Sequence, residues 1–283
     1  MKPRVMSLVL FTCMVGLIVA PNNVSYLNFV LSLIAVALGA GAAGTLNMWY
    51  ESDLDALMTR TCLRPIPTGQ VTKNQALFFG VLLSVGSVTL LYFSSNLMSA
   101  SLLLITICFY FFIYTVWLKR RTPQNIVIGG AAGALPPVIG WTIATGSLSL
   151  EPLILFLIIF LWTPSHFWAL SIYKSNDYKK AKIPMLPIIY GIEKTKKNIF
   201  IYSLLMLPTI SAPYFISFLS EIYFYPALAL TIYYTYLCGT LLKVKKSTEV
   251  NTLARKIFLY SIFYLFIIFL LILSDHFFTR FYG

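Results

Sequence analysis

Nine apolar runs separated by short polar connections constrain this chain more than any other feature of its sequence. They read as 5–20, 26–48, 76–93, 97–118, 126–145, 152–173, 199–219, 222–242 and 257–274. Most match the roughly 17–25 residues that an α-helix needs to cross a hydrocarbon core. None shows the period-2 alternation of a barrel strand, and backbone in lipid must satisfy its own hydrogen bonds. The expected fold is therefore all-α, a polytopic membrane bundle of about nine transmembrane helices. The first run follows Lys2 and Arg4 as a signal peptide would, but Ile18-Val19-Ala20 is a poor cleavage site, so it is read as a retained span. Composition agrees: charged residues are 11% of the 283, against about 25% in a soluble domain.

The net charge of +12 would point to nucleic acid in a soluble chain. Here its distribution gives another cause. With nine spans, 20 of the 21 Lys and Arg residues fall on the side of the N-terminus, and only Arg280 falls on the other. That asymmetry is the positive-inside pattern, so the basic loops are expected in the cytoplasm and no nucleic-acid partner is expected. The four cysteines are widely spaced, three of them in apolar runs, and read as buried small hydrophobes rather than a disulfide or zinc framework.

The acids are scarce and unevenly placed. Three of the nine lie within Asn47-Met-Trp-Tyr-Glu51-Ser-Asp53-Leu-Asp55, where the second span leaves the membrane. On a helix Asn47, Glu51 and Asp55 form one stripe, whereas Asp53 points elsewhere unless the helix has ended. Stacked carboxylates at membrane depth call for a cation, and hard oxygen donors suit Mg²⁺; the alternative is a solvated loop that happens to be acidic. Downstream, Arg60 and Arg64 sit in a Pro/Gly-containing stretch expected to be an ordered loop, placed to hold a polyanion opposite the metal or serving simply as positive-inside residues.

A second polar loop follows the sixth span, with Asp177 offering another half-site for metal or a plain Asp–Lys surface pair. His166 lies inside the predicted boundary of that span. Its candidate roles are proton transfer, axial ligation of a haem iron, or a bond to a neighbouring helix. Lys119, Arg120 and Arg121 open a Gly-rich span interrupted by Pro136-Pro137, where a helix or a flat ligand can approach the backbone and the helix is expected to break.

These motifs resemble the UbiA superfamily of intramembrane prenyltransferases, and within it the branch that acts on haem. The acidic stripe matches N-x-x-x-D-x-x-x-D with Glu51 in place of the first Asp. The haem branch is carried by Arg60–Pro65, Gly133–Trp141, Trp162–Trp168 and Asp177–Pro187, so the likeness covers roughly residues 40–190. Ala181 stands where other branches have a second Asp, as it does in the haem branch.

The resemblance implies one prenyltransferase domain over 1–283. It would transfer farnesyl from farnesyl diphosphate to the vinyl group of haem B, with water added, giving haem O and diphosphate. Mg²⁺ would be held by Asn47, Glu51, Asp55 and Asp177, with Asp53 sharing the catalytic load. Arg60, Arg64, Lys73, Lys119 and Arg120 would bind the diphosphate, and His166 would serve haem binding or proton transfer. The expected setting is the bacterial cytoplasmic membrane and its lipid, since Lys2 and Arg4 are too little for a transit peptide. There is room for a haem A synthase or terminal oxidase assembly partner. The rival readings are a relative that prenylates 4-hydroxybenzoate or another quinone precursor and, in another class, a multispan transporter. No second copy of the acidic stripe supports the transporter.

Overall fold

The computed structural model describes residues 3–59 and 61–282; Lys2, Arg60 and the side chain of Arg4 lie outside that description. Every regular element described is helical. The chain runs through α1 (Pro3–Ile18), α2 (Tyr26–Tyr50), the short α3 (Ser52–Leu57), α4 (Lys73–Ser94) and α5 (Leu97–Cys108). α5 continues without a break as a π-helix over Phe109–Leu118. There follow α6 (Asn125–Ala134), α7 (Pro136–Thr145), α8 (Leu150–Tyr173), α9 (Ser175–Lys180), α10 (Leu186–Ile189), α11 (Gly191–Phe215), α12 (Glu221–Lys243) and α13 (Ser247–Tyr282).

Seven helical stretches are long and apolar enough to cross a membrane: α2, α4, α5 with its π continuation, α6 with α7, α8, α11 and most of α13. The other two expected spans are also helices. α1 is shorter, and α12 has 23 residues, carries an acid at its start and is rich in tyrosine. The protein is a polytopic helical membrane protein with apolar side chains on much of its outside, Phe78, Phe93, Phe112 and Phe263 among them. The Pro136-Pro137 pair divides its span as expected, with α6 ending at Ala134 and α7 beginning at Pro136.

Helix ends are fixed by their own sequence. Thr72 and Gln75 form a reciprocal capping box at α4, and Asn96 accepts from Ser99 N at α5. At the far end of α13, buried Asp275 accepts from Ser220 N, Tyr223 N and the Ser220 hydroxyl. A carboxylate there meets the unpaired N–H groups of α12 and its positive dipole end. At the opposite end, the connections after α2, the π-helix and α8 meet, joined by Glu51–Lys119, Asp53–Arg120 and Thr59–Asp177 contacts. Lys196 of α11, almost fully buried, donates to Val244 O and Glu193 at 2.7 and 2.6 Å. The four cysteines are unpaired thiols, and Cys13 and Cys238 are buried.

Candidate active site at the basic end

The acidic stripe survives a joint in the helix. α2 ends at Tyr50 and α3 starts at Ser52, yet Glu51 N bonds Asn47 O and Asp55 N bonds Glu51 O at 3.0 and 2.8 Å. These i→i−4 bonds keep Asn47, Glu51 and Asp55 on successive turns of one face. All three are buried. Asp53 does not join them: its side chain is 56% exposed and takes two hydrogen bonds from Arg120, at 2.9 and 3.1 Å. The expected sharing of load between Asp53 and Glu51 thus finds no geometric support, because the turn carries Asp53 to the opposite face.

Each acid of the stripe has its own cation. Arg64 Nη1 donates to Asp55 Oδ2 at 2.6 Å, and Lys119 Nζ donates to Glu51 Oε2. Asn47 Nδ2 reaches the same Glu51 oxygen at 2.8 Å and Thr115 Oγ1 at 3.1 Å. Glu51 Oε1 is buried and has no hydrogen-bond partner among the described residues.

Two local structures make these contacts. In the loop after α3, Thr61 Oγ1 donates to Asp55 O, and Thr61, Cys62 and Arg64 close turns back onto Met58 and Thr61, folding Arg64 onto Asp55. This is the ordered loop expected from the sequence. The π-helix supplies the rest. Its wider turn lets Lys119 N bond Tyr114 O and Thr115 Oγ1 bond Tyr110 O, both five residues back. That register aims Thr115 at Asn47 and Lys119 at Glu51. Asn125, fully buried, secures the following turn by donating to Lys119 O and Thr122 O.

Arg120 is also engaged, lying over the Tyr50 ring at 5.3 Å from its centroid. For Asp53, burial works against the charged form, but hydrogen bonds and charge from Arg120, with backbone donation, hold its carboxyl below the usual range. Lys73 is exposed and lines a separate open cleft of about 330 Å³ with Asp53, Ile66, Pro67 and Val71. Arg60 lies outside the described residues. Asp177, on α9, accepts the Thr59 hydroxyl at 2.9 Å on both oxygens, which ties it to the loop beyond the stripe.

An apolar cavity of about 120 Å³ begins at Ala43 and Gly44, one helical turn along α2 from Asn47. Gly39, Ala40, Ala43 and Gly44 line it from α2, with Tyr110, Gly133 and Ile139 among its other walls. A Cβ on Gly44 or Gly133 would meet open space. On α6, Gly129 and Gly130 lie against the Tyr114 ring and Thr163; an added Cβ would come within 2.1 and 2.9 Å of them. Only glycine admits the π-helix and α8 this close to α6. His166 lies on the α8–α13 seam, stacked on Trp162 at 4.2 Å between ring centroids.

Sequence reasoning missed Thr115, Thr59 and Asn125. Thr115 has one visible signal, the lone aliphatic hydroxyl in the aromatic run Phe109–Leu118. A π-helix has no such signature.

No group of three His, Cys, Asp or Glu side chains among the described residues is close enough to enclose a metal ion. The donors nevertheless suit a hard cation, because Glu51 Oε1 is left over after Lys119 and Asn47 both take Oε2. Mg²⁺ commonly binds through one or two carboxylates and completes its shell with phosphate and water oxygens.

A helical membrane bundle with paired acids and bases at one end and an apolar cavity behind them defines the class. The UbiA prenyltransferase family profile matches residues 9–274, and the chain belongs to that family. It is 66% identical to a protoheme IX farnesyltransferase of Pelagibacter ubique, over 97% of this chain and 91% of that one. It is 50% identical to protoheme IX farnesyltransferase 2 of Mesorhizobium japonicum, over 97% and 88%. Among solved structures, a digeranylgeranylglyceryl phosphate synthase matches with TM-score 0.79 at 20% identity, covering 95% of this chain and 92% of that one. A UbiA homolog from Archaeoglobus fulgidus bound to DMAPP and Mg²⁺ matches with TM-score 0.69 at 16% identity, covering 93% and 96%.

Proposed function

We infer that this chain transfers the farnesyl group of farnesyl diphosphate to a vinyl group of haem B, with addition of water, releasing haem O and diphosphate. The observation that carries this reading is 66% identity over nearly the whole chain to a curated protoheme IX farnesyltransferase. The arrangement of an ionic cluster against an apolar cavity supports it.

In this reading Mg²⁺ would be held by Glu51 and Asp55, with Asn47 and Asp177. When bound it supplies Lewis-acid neutralisation of the diphosphate. The chain's own residues do the rest. Lys119 and Arg64 face the same carboxylates and give the departing anion fixed positive charge. Arg60, Arg120 and Lys73 add to the basic rim. The cavity behind Tyr110 takes the isoprenoid and keeps water from the allylic cation, while aromatic faces such as Tyr110 favour its charge. His166 serves the acceptor.

Residues 1–283 act as one domain in the lipid of a bacterial cytoplasmic membrane, the basic loops in the cytoplasm as their charge dictates. A haem A synthase or terminal oxidase assembly partner would receive the product.

The test uses membranes containing the chain, given farnesyl diphosphate, Mg²⁺ and haem B, with Asp55→Ala as control. Extracted haem heavier by a farnesyl group plus water, absent from the control, is expected. A prenylated product from 4-hydroxybenzoate, with haem unchanged, would overturn the choice of acceptor.

A further inference from the structure

His166 is held by a more elaborate arrangement than packing alone requires. It is buried to 7% exposure on α8, and its ring lies between Trp162 and Phe258, at 4.2 and 4.7 Å between centroids. Its Nδ1 is 2.6 Å from the hydroxyl of Ser261, a fully buried residue of α13. The same hydroxyl donates to Phe258 O at 2.7 Å. The backbone carbonyl of Ser261 accepts from Trp162 Nε1 at 2.9 Å, pinning the two helices together at this level. Nε2 of His166 has no hydrogen-bond partner among the described residues.

A serine hydroxyl has one proton. Donating it to the carbonyl three residues back, a common bond for serine in a helix, is the one arrangement that satisfies both short contacts of the hydroxyl. The Ser261 oxygen can then only accept from His166, which places the imidazole proton on Nδ1. A neutral imidazole protonated at Nδ1 has its lone pair on Nε2. Histidines that ligate metals are oriented in the same way, through a hydrogen bond from the ring nitrogen not facing the metal.

We propose that Ser261 is a positioning residue that fixes His166 as the Nδ1–H tautomer, so that Nε2 presents its lone pair to the iron of the haem acceptor. This rests on haem B being the acceptor. Ser261 touches no reacting atom and acts only through His166. It also gives α13 a part in the acceptor site, although the motifs of the sequence end before α11.

The test uses the full chain in lipid nanodiscs, titrated with haem B and followed by visible absorbance, with KM measured separately for haem B and farnesyl diphosphate. Removing an orienting partner of a metal-bound histidine costs about 10–100-fold in affinity. Ser261→Ala is therefore expected to raise the KM for haem at least tenfold and to lose the spectrum of imidazole-ligated haem. The KM for farnesyl diphosphate should be unchanged and the thermal midpoint close to that of the parent. Ser261→Thr, which keeps the hydroxyl, should restore the spectrum, and His166→Ala should lack it.

An Ser261→Ala chain with the parent's haem spectrum and haem KM overturns the assignment. So does one whose two KM values rise together as its midpoint falls, since that is the mark of a packing role. If the unsubstituted chain shows no haem spectrum and makes no farnesylated haem, the reading of the activity fails and Ser261 falls with it. If only Ser261→Ala departs from expectation, the activity stands.

Discussion

Lys119 Nζ and Glu51 Oε2 form the most buried acid–base contact of the basic end: the carboxylate side chain is 1% exposed and the lysine 20%. Asn47 donates to the same oxygen, so one carboxylate oxygen is doubly bonded and the other, Oε1, has no partner among the described residues. The lysine therefore neutralises an acid that the proposed mechanism assigns to Mg²⁺. The two cations need not compete: Oε1 is left for the metal, and the ammonium keeps two further N–H donors for the diphosphate.

Removing the lysine separates these roles. Breaking a buried ion pair from one side costs about 3–5 kcal/mol, because the remaining charge is left uncompensated. Lys119→Met is expected to lower the thermal midpoint of the detergent-solubilised chain by several degrees without Mg²⁺. Added Mg²⁺ should recover much of that loss while leaving the parent almost unmoved. Glu51→Gln in the same chain should also recover it. A Lys119→Met chain as stable as the parent, with no response to Mg²⁺, would count against a cation site at Glu51.

Asp55 and Arg64 form the other pair, at 2.6 Å. Loss of a charge-stabilising group at a reacting centre costs about 100–1,000-fold in turnover. Asp55→Ala should lose prenyl transfer by at least that much, as should the parent treated with a chelator. Asp177→Ala should lose less, since both oxygens of its carboxylate already accept from the Thr59 hydroxyl. Arg64→Lys should not restore activity fully, because a lysine replaces the planar fork with a point charge. Turnover measured with and without Mg²⁺ ranks the four.

The Asp53–Arg120 pair gives a prediction in pH. Burial alone would raise the Asp53 pKa, but Arg120 and backbone donors bring it below the ordinary value of 3.8. A depressed acid contributes stability above its unfolded pKa and loses it as pH falls through the folded one. From about pH 5 to pH 8 the pair therefore stays ionised. Asp53→Asn should leave the shape of the pH–rate profile unchanged over that window. An exposed ion pair contributes about 1 kcal/mol or less to stability, so the thermal midpoint should fall only slightly. A new inflection near neutrality in the variant would show that Asp53 affects a group that titrates there.

Much of this was legible in the chain because lipid allows few solutions. Apolar run length fixed the helices, and the i, i+4 spacing of Asn47, Glu51 and Asp55 placed them on one face. Asp53 was the acid whose angle disagreed, and it lies apart. Lys119 and Arg120 were visible only as neighbouring cations. Their division between Glu51 and Asp53 follows from the π-helix before them, whose register depends on tertiary packing against Gly129 rather than on composition. Ser261 was hidden for a related reason: a serine in an apolar helix acquires meaning only when α8 sets His166 beside it.

The cavity makes a prediction about chain length. Gly44 and Gly133 border it, and a Cβ on either would enter open space rather than strike a neighbour. A larger side chain there grows into volume that the isoprenoid would otherwise use, starting from a Cβ that meets no neighbour. One methylene of misfit in an apolar pocket is worth about 10–200-fold in discrimination. Gly133→Leu should therefore raise the KM for farnesyl diphosphate about tenfold or more while sparing the shorter geranyl diphosphate, reversing the preference between them. Gly44→Leu should act likewise but also lower turnover, since it lies one helical turn from Asn47 and the reacting end of the donor. The check is competition between the two diphosphates with haem B as acceptor. If both donors are slowed equally by Gly133→Leu, the cavity is not where the isoprenoid lies.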